Sequence, residues 1–228
     1  MLARPGRQSG AVASPAVSAV VAVAVGLVLA GCGSGGGTAA GSASSKATAS
    51  PREASVSASA SALPSFPPVA DGASLKLTTN QGDITIAMDP KAPVTDASMA
   101  YLAGKGFFNG TNCHRLTTQG IFVLQCGDPK GNGTGGPGYE IPDENLPANG
   151  ANNYPAGTVA MANSGPDTNG SQFFIVYKDT TLPPDYTVWG KVTSGMDVVD
   201  KVAAAGVQGG AMDGPPALPI TIETATVS

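Results

Sequence analysis

The sequence predicts a mainly β domain in which a closed antiparallel β-barrel is capped by two α-helices. Short apolar runs with strand-like patterns recur along residues 71–228, and turn-forming residues separate them. Two other segments carry the apolar spacing of helices and lie near opposite ends of this region. Many short strands with two such helices are typical of a closed barrel whose openings the helices cover.

The domain begins with a predicted β-hairpin, and a helix follows it. Apolar residues alternate with polar ones across residues 75–88, and the turn-forming run Asn80–Asp83 divides them. Pro93 is suited to the first turn of a helix, which Gly104 or Gly106 would end. The apolar face of this helix would consist of Val94, Ala97, Tyr101 and Leu102.

The remaining elements follow from the same patterns. Residues 131–138 read as a glycine-rich surface loop. Ser194 and Asp197 resemble a capping box that starts a second helix, and Gly206 would end it. The inward face of that helix would consist of Val198, Val199 and Val202. Further strands are predicted at residues 113–116, 121–125, 158–162, 172–177, 187–192 and 220–227.

Charge and residue counts exclude several classes of protein. The chain has 228 residues, a formal net charge of −4, and only 12% charged residues. This acidic balance argues against a nucleic-acid-binding protein, which needs a basic surface to neutralise phosphates. One His and three Cys are too few for a multi-histidine metal site, a four-cysteine zinc site or a disulfide-dense scaffold. We therefore expect neither a bound metal nor a nucleic-acid partner.

Residues 1–31 have the features of a lipoprotein signal peptide. Two arginines and no acidic residue precede the run Ala16–Ala30, which is nearly all Ala, Val, Leu and Gly. The run ends in Leu29-Ala30-Gly31-Cys32, which resembles the lipobox of bacterial lipoproteins. An uncleaved membrane helix is the alternative, but this run is short and rich in Ala. The resemblance implies that Cys32 becomes the acylated N-terminus, carrying palmitate, and anchors the protein outside the cytoplasm on the cell membrane.

Residues 32–70 separate this anchor from the folded domain. They consist mainly of Gly, Ser, Ala and Thr, later joined by Pro, and contain few large apolar side chains. Such a segment cannot offset the entropy lost on ordering, so we predict a disordered tether. The folded domain would then occupy residues 71–228.

One long motif and several shorter ones identify a family. Residues 161–175, Met-Ala-Asn-Ser-Gly-Pro-Asp-Thr-Asn-Gly-Ser-Gln-Phe-Phe-Ile, look like the signature segment of the cyclophilins. The shorter motifs occur in the family's order: His114-Arg115, Phe122–Gln125, Gly127-Asp128, Gly133–Gly136 and Trp189–Val192. Together they span about residues 75–227, which is nearly the whole predicted domain. The chain therefore resembles the cyclophilin-type peptidyl-prolyl cis-trans isomerases.

The resemblance implies a fold and an activity. The fold is an eight-stranded barrel with two helices, and the activity is isomerisation of X-Pro peptide bonds without a cofactor. With a lipid anchor, the substrates would be proline-containing polypeptides outside the cytoplasm, and the protein would assist the folding of exported proteins. We expect a monomer, because no long exposed apolar stripe is visible in the sequence.

The resemblance also assigns the catalytic residues. The X-Pro bond rotates over a barrier of about 18–20 kcal/mol that comes from amide resonance. In the twisted state the prolyl nitrogen becomes basic, so a guanidinium aimed at it gains a hydrogen bond that the planar ground state does not offer. Arg115 is the candidate for this donor, Gln125 would orient it, and Phe122 would line the slot for the proline ring.

The same resemblance assigns residues that bind the substrate. The backbone of Asn163 would hold the residue before proline in an extended pose, with Ala162 alongside. Gln172 would contact the carbonyl that rotates, and Tyr186 would supply a hydroxyl at the pocket rim. The rest of the apolar slot would consist of Val123, Phe174 and Leu182.

Two cysteines flank the predicted site. Cys113 and Cys126 lie on strands that should be neighbours, so they form either a cross-strand disulfide or two buried thiols. The family commonly has two fewer residues between the catalytic Arg and the Phe. We therefore expect Thr117–Gly120 to form an enlarged loop or bulge, which leaves the pairing of the cysteines open.

Two other functions compete with the isomerase. A proline-binding module or surface chaperone with little turnover would keep Phe122, Phe174 and Asn163 but would not depend on Arg115. A Ser-His-Asp hydrolase would have to use His114, the only His in the chain. We interpret His114 as a structural hydrogen-bonding residue, because it should point away from Arg115 in a strand.

Overall fold

The computed structural model describes residues 63–228. This part of the chain is mainly β, with two α-helices. The helices are α1 (Pro93–Gly104) and α2 (Met196–Ala205). The strands are β1 (Ser74–Thr79), β2 (Gly82–Met88), β3 (Thr111–Asn112), β4 (Arg115–Thr117), β5 (Val123–Cys126), β6 (Thr158–Met161), β7 (Phe173–Val176), β8 (Val188–Ser194), β9 (Asp213–Gly214) and β10 (Thr221–Val227). The predicted hairpin and both predicted helices are confirmed. No helix within residues 63–228 is long and apolar enough to cross a membrane.

The strands form one antiparallel sheet, but the predicted closed eight-stranded barrel is wrong. The ten strands lie in the order β3-β10-β1-β2-β8-β6-β7-β5-β4-β9, and the sheet curves into a half-barrel. The two edge strands, β3 and β9, have two residues each and were not predicted, because such short strands show no alternation. The hydrogen-bonded ladder therefore has two ends.

The sheet is open at residues 111–117, because the two halves of this segment pair with different strands. Residues 111–112 pair with β10, whereas residues 115–117 pair with β5 and β9. Between them the chain leaves one edge of the sheet for the other. Prolines 215, 216 and 219 lie between β9 and β10 and have no N–H to donate, so no ladder bridges this gap.

A stack of perpendicular aromatic rings occupies the main core. The centroid of Phe173 lies 6.0 Å from that of Phe108 and 5.8 Å from that of Trp189, and all three side chains are fully buried. Apolar residues of both helices, including Met99 and Val199, pack into the same cluster. Strand alternation sends Phe174 to the opposite face, into a second and smaller cluster, as the sequence predicts.

Helix α1 begins at Pro93, as predicted, whereas the start of α2 differs from the sequence prediction. Gly195, in the left-handed region with φ 91°, precedes α2, and no side chain caps it, so the predicted capping box is wrong. Helix α1 is capped by Glu144, which lies about 50 residues away in sequence. Its carboxylate accepts the Val94 N–H at 3.1 Å and the Thr95 N–H at 2.8 Å. The loop that carries Glu144 thus supplies the charge that the helix N-terminus favours.

A buried carboxyl group lies in the first turn of α1. Asp96 is only 4% exposed, and its Oδ1 has no hydrogen-bond partner among residues 63–228. Burial, together with the nearby carboxylates of Asp89 and Glu144, raises the pKa of Asp96 to about 8. The Asp96 side chain is therefore protonated and neutral at physiological pH.

Stability should fall as the pH rises because of Asp96. In the unfolded chain its pKa is about 3.9, so between about pH 4 and pH 8 unfolding releases a proton from this group. Asp96→Asn does not titrate, and we expect it to be more stable than the parent by up to about 4 kcal/mol at pH 7, with no difference of this origin near pH 3. Urea unfolding at several pH values measures this, with Asp197→Asn, an exposed residue in the first turn of α2, as the matched control. A gain in stability that is the same at pH 4 and pH 8 would contradict the assignment.

Residues 63–70 contact the domain, although the sequence assigns them to the tether. They form no regular secondary structure. The Phe66 ring centroid lies 5.6 Å from that of Tyr101 and 5.4 Å from that of Tyr139. Burial of an aromatic ring offsets the ordering of these few residues, which the small residues before them cannot do. The predicted signal peptide and most of the predicted tether lie outside the described residues.

Candidate active site

Strand register brings four predicted or neighbouring residues into one row across the sheet. Arg115 of β4 lies opposite Gln125 of β5, and Gln125 lies opposite Phe174 of β7. Phe174 in turn lies opposite Ala160 of β6. Residues directly opposite each other in a sheet share a face, with Cβ atoms about 5 Å apart. The guanidinium, the amide and the aromatic ring therefore stand side by side on one surface.

A chain of hydrogen bonds joins the polar members of this row to the glycine-rich loop. Arg115 donates from Nη1 to Gln125 Oε1 at 3.2 Å, and Gln125 donates from Nε2 to Gln172 Oε1 at 2.9 Å. Gln172 then donates from Nε2 to the carbonyls of Gly133 and Gly135, at 3.0 Å and 2.9 Å. Each amide is thereby fixed in orientation, because its carbonyl and its amino group have different partners.

A buried aspartate orders the glycine-rich loop at the end of this series of hydrogen bonds. Asp128 is fully buried, and its carboxylate accepts the backbone N–H groups of Lys130, Asn132 and Gly133. Burial alone would raise the pKa of Asp128, but these backbone hydrogen bonds outweigh it and hold the pKa below its usual value. Gly135 has no room for a side chain, because a Cβ there would collide with this carboxylate. The loop is therefore held rigid beside Gln172.

An apolar floor lies next to the guanidinium. It is the second core cluster, and its buried members are Val123, Tyr154, Ala160, Phe174 and Val176. Partly buried residues pack around it: Ile121, Ala162, Leu182, Tyr186 and Val188. The Tyr186 ring stands nearly perpendicular to that of Phe174, with centroids 5.5 Å apart. A half-open apolar floor beside an oriented cation suits a ligand with one apolar ring and one polar edge.

Two residues that sequence analysis missed hold the rim of this floor. Asn153 accepts the Leu182 N–H at 3.0 Å and donates to the Leu182 carbonyl at 2.8 Å. Tyr154 is fully buried, and its hydroxyl accepts the Tyr186 N–H at 3.1 Å. Burial raises the pKa of Tyr154 to about 12, so this hydroxyl stays protonated. Asn153 and Tyr154 lie in a loop whose sequence has no periodic pattern. The sequence therefore gives no signal for their role at the rim.

Two other predicted residues lie at the margin. Phe122 stands outside the apolar floor. Its ring packs against Tyr177, with centroids 5.9 Å apart, and Lys178 Nζ lies 4.5 Å from its centroid. Asn163 uses its side chain to hold the chain, donating from Nδ2 to the Asp185 carbonyl at 2.8 Å. No partner among residues 63–228 engages the Asn163 backbone N–H or C=O.

A disulfide bond behind the row joins β5 to the segment between β3 and β4. It links Cys113 to Cys126, which are 13 residues apart in sequence and both buried. Cys126 is the next residue after Gln125, and Cys113 precedes Arg115 by two residues. The loop between β4 and β5 comprises residues 118–122, and Gly120 in it has φ 74°. Thr117, which the sequence analysis assigns to this loop, lies in β4. The bond therefore ties the strand that carries Gln125 to the segment that leads into Arg115.

The only histidine takes no part in this network. The ring nitrogens of His114 have no hydrogen-bond partner among residues 63–228, so the prediction of a structural hydrogen-bonding role is wrong. Burial lowers the pKa of His114 despite the nearby carboxylate of Asp128. No cluster of metal-ligand side chains occurs in the described part of the chain.

A carboxylate not expected from the sequence contacts the guanidinium. Asp213 of β9 accepts the Arg115 Nε–H at 2.7 Å on one oxygen and an Nη2–H at 2.7 Å on the other. The two side chains are 55% and 37% exposed, respectively. Because a guanidinium has five N–H groups, and Asp213 and Gln125 take three, two N–H groups of Arg115 remain for a ligand.

The chain is similar to a known protein family and to several of its members. A family model described as cyclophilin type peptidyl-prolyl cis-trans isomerase/CLD matches residues 74–227. A protein of Mycobacterium leprae named as a probable peptidyl-prolyl cis-trans isomerase B is 52% identical over 163 residues, covering 66% of this chain and 55% of that protein. A Helicobacter pylori peptidyl-prolyl cis-trans isomerase is 41% identical over 138 residues, covering 59% of this chain and 82% of that protein. The chain spans about half the length of its mycobacterial relatives.

Solved structures resemble the same domain. The crystal structure of a Cryptosporidium parvum protein described as a cyclophilin type peptidyl-prolyl cis-trans isomerase superposes with a TM-score of 0.59 at 27% identity. The match covers 68% of this chain and 96% of that one. A second structure of that protein, in the presence of the dipeptide Ala-Pro, matches with the same TM-score at 26% identity.

Proposed function

Because this chain belongs to the cyclophilin-type peptidyl-prolyl cis-trans isomerase family, we propose that it catalyses rotation about X-Pro peptide bonds of exported polypeptides and so assists their folding. The observation that carries the proposal is the row formed by Arg115, Gln125 and Phe174. It sets an oriented cation beside an apolar floor, which is what one prolyl residue requires. The relative that was solved in the presence of Ala-Pro supports a proline-containing ligand.

The chemistry required at this site is modest. Unaided rotation about X-Pro takes tens to hundreds of seconds. Lowering the barrier by about 7 kcal/mol would accelerate it roughly 10⁵-fold. The barrier is amide resonance, so any group that binds the twisted amide better than the planar one is a catalyst. No proton transfer, nucleophile or cofactor takes part in this proposal.

Arg115 supplies the differential interaction. A proline ring that packs on Phe174 and Val123 lies beside the guanidinium, because Gln125 neighbours both Phe174 and Arg115 in the sheet. When the amide twists, the prolyl nitrogen gains a lone pair that accepts one of the two unused Arg115 N–H groups. The gain exists only near the transition state, so it raises the rate.

The substrate backbone is held at the opposite side of the floor. The unengaged N–H and C=O of Asn163 suit an extended peptide, and the Asn163 side chain is already committed to Asp185. Ala162 donates its N–H to the Gln172 carbonyl, which fixes the turn that presents Asn163. The residue before proline would then lie along Ala162 and Asn163, while the proline ring enters the floor.

We further propose that the protein works outside the cytoplasm, anchored to the membrane by lipid on Cys32. Support comes from the signal-like residues 1–31 and the lipobox-like motif. The Cys113–Cys126 disulfide also supports an oxidising compartment, where such bonds persist. Cys32→Ser should abolish the incorporation of labelled palmitate into the protein by the producing bacterium. Palmitate incorporation that survives this change would refute lipid anchoring at Cys32.

Catalysis is tested with a soluble chain of residues 33–228 and a tetrapeptide that contains one X-Pro bond. Exchange between the cis and trans peptide resonances, followed by NMR, should accelerate at catalytic amounts of protein. Peptide-induced shifts without accelerated exchange would overturn the isomerase and leave the proline-binding module. The same sample measures both outcomes, so binding and turnover are separated directly.

A further inference from the structure

We propose that Asp213 is a positioning residue for Arg115, holding the guanidinium in the orientation that presents its remaining N–H groups to the substrate. This inference rests on the proposed isomerase activity. It starts from the two 2.7 Å contacts between the Asp213 carboxylate and the Nε and Nη2 groups of Arg115. Paired contacts of this type fix a guanidinium in the plane of the carboxylate, whereas a single contact leaves it free to rotate.

Strand β9 places the carboxylate there. Asp213 pairs with Thr117 and Gly214 with Leu116, so β9 runs antiparallel to the strand that carries Arg115. The Thr118 N–H donates to the Met212 carbonyl at 2.9 Å and extends this ladder. Asp213 is therefore held on backbone hydrogen bonds, and its side chain reaches Arg115 from the edge of the sheet.

The hydrogen bonds from Arg115 to Asp213 and Gln125 leave a defined edge of the guanidinium free. Asp213 occupies the edge formed by Nε and Nη2, and Gln125 takes one N–H of Nη1. The two unused N–H groups therefore belong to Nη1 and Nη2, one on each. Two partners on different strands thus restrict a long side chain that would otherwise sample many rotamers.

The Asp213 carboxylate could orient the Arg115 guanidinium, or it could partly neutralise the charge that Arg115 presents to the substrate. The exposure of the two side chains decides between these effects. At 55% exposure the Asp213 charge is largely screened by solvent, so its electrostatic effect on a bound amide is small. Orientation is not screened by solvent. The side-chain hydrogen bond between them raises the pKa of Arg115 and lowers that of Asp213, so both groups stay charged at neutral pH.

The test compares Asp213→Ala with Glu223→Ala, which removes an exposed carboxylate from β10, in the soluble chain of residues 33–228. We expect Asp213→Ala to lower kcat about 10-fold while KM changes less than twofold, because misorientation impairs the transition state more than binding. Glu223→Ala should leave both constants unchanged. The melting temperature should change little in either variant, because exposed ion pairs contribute little to stability.

A spectroscopic readout separates positioning from a structural role. The ¹⁵N–¹H signal of Arg115 Nε should be protected from solvent exchange in the parent and should shift and exchange faster in Asp213→Ala. A kcat within twofold of the parent, an increased kcat, or an unchanged Nε signal would overturn the proposal. If the parent protein shows no turnover, the proposed function fails, and the Nε signal still decides whether Asp213 holds Arg115.

Discussion

Replacing Arg115 with Ala is expected to lower kcat/KM for a proline tetrapeptide about 100- to 1000-fold. Removing one preorganised hydrogen-bond donor from a site that stabilises developing charge typically has an effect of this size. The loss should appear mainly in kcat, because the prolyl nitrogen accepts a hydrogen bond only when the amide is twisted. Exchange NMR on the soluble chain of residues 33–228 measures both constants.

The neighbouring residue provides the matched control for this change. His114→Gln alters the adjacent side chain, whose ring nitrogens have no partner in the described structure. We expect it to retain most of the isomerase activity. If His114→Gln abolishes activity while Arg115→Ala retains it, the guanidinium is not the catalytic group and the assignment of the site is wrong. Both variants must keep the melting curve of a folded domain for the comparison to hold.

Removing the Cys113–Cys126 disulfide is expected to lower the free energy of unfolding by about 3 kcal/mol. The bond closes a loop of 13 residues, and a loop of this length restricts the unfolded chain by about that amount. For a domain of this size the melting temperature should fall by roughly 10 °C. Alanine is the replacement of choice at both positions, because Cys113 and Cys126 are buried and serine would leave an unpaired hydroxyl.

Reduction provides an independent control for the disulfide. Dithiothreitol should destabilise the parent by about as much as the double substitution Cys113→Ala/Cys126→Ala, and it should leave the double variant unchanged. If dithiothreitol does not change the melting temperature of the parent, the bond has no structural role. We expect a smaller effect on turnover, because the ladder between Arg115 and Gln125 also holds the register of these strands.

Patterns that depend on neighbouring residues were predictable from the sequence. The hairpin of β1 and β2 follows from alternation around turn-forming residues, and α1 follows from Pro93 and the apolar spacing after it. The opposite faces of Phe173 and Phe174 follow from the two-residue period of a strand. The motif in residues 161–175 also identified the family, because it contains many residue types in a fixed order.

Contacts between residues distant in sequence were not predictable in this way. Glu144 caps α1 from about 50 residues away, and Asp213 reaches Arg115 across 98 residues. The sequence around an isolated acidic residue in a loop has no periodic pattern that identifies its distant partner. Asp96 likewise looks like an ordinary first-turn acid until the packing around it is known, and only that packing raises its pKa.

The sequence by itself determined most of the elements, the family and the residue types of the site, because these depend on local spacing and on a motif read in order. Only the tertiary structure decided that the sheet is an open half-barrel, that Cys113 and Cys126 are bonded, and that Phe122 stands outside the apolar floor. The physical reason is that strand register and chain closure are set by the summed packing of many distant residues. No short segment carries enough of that energy to specify them.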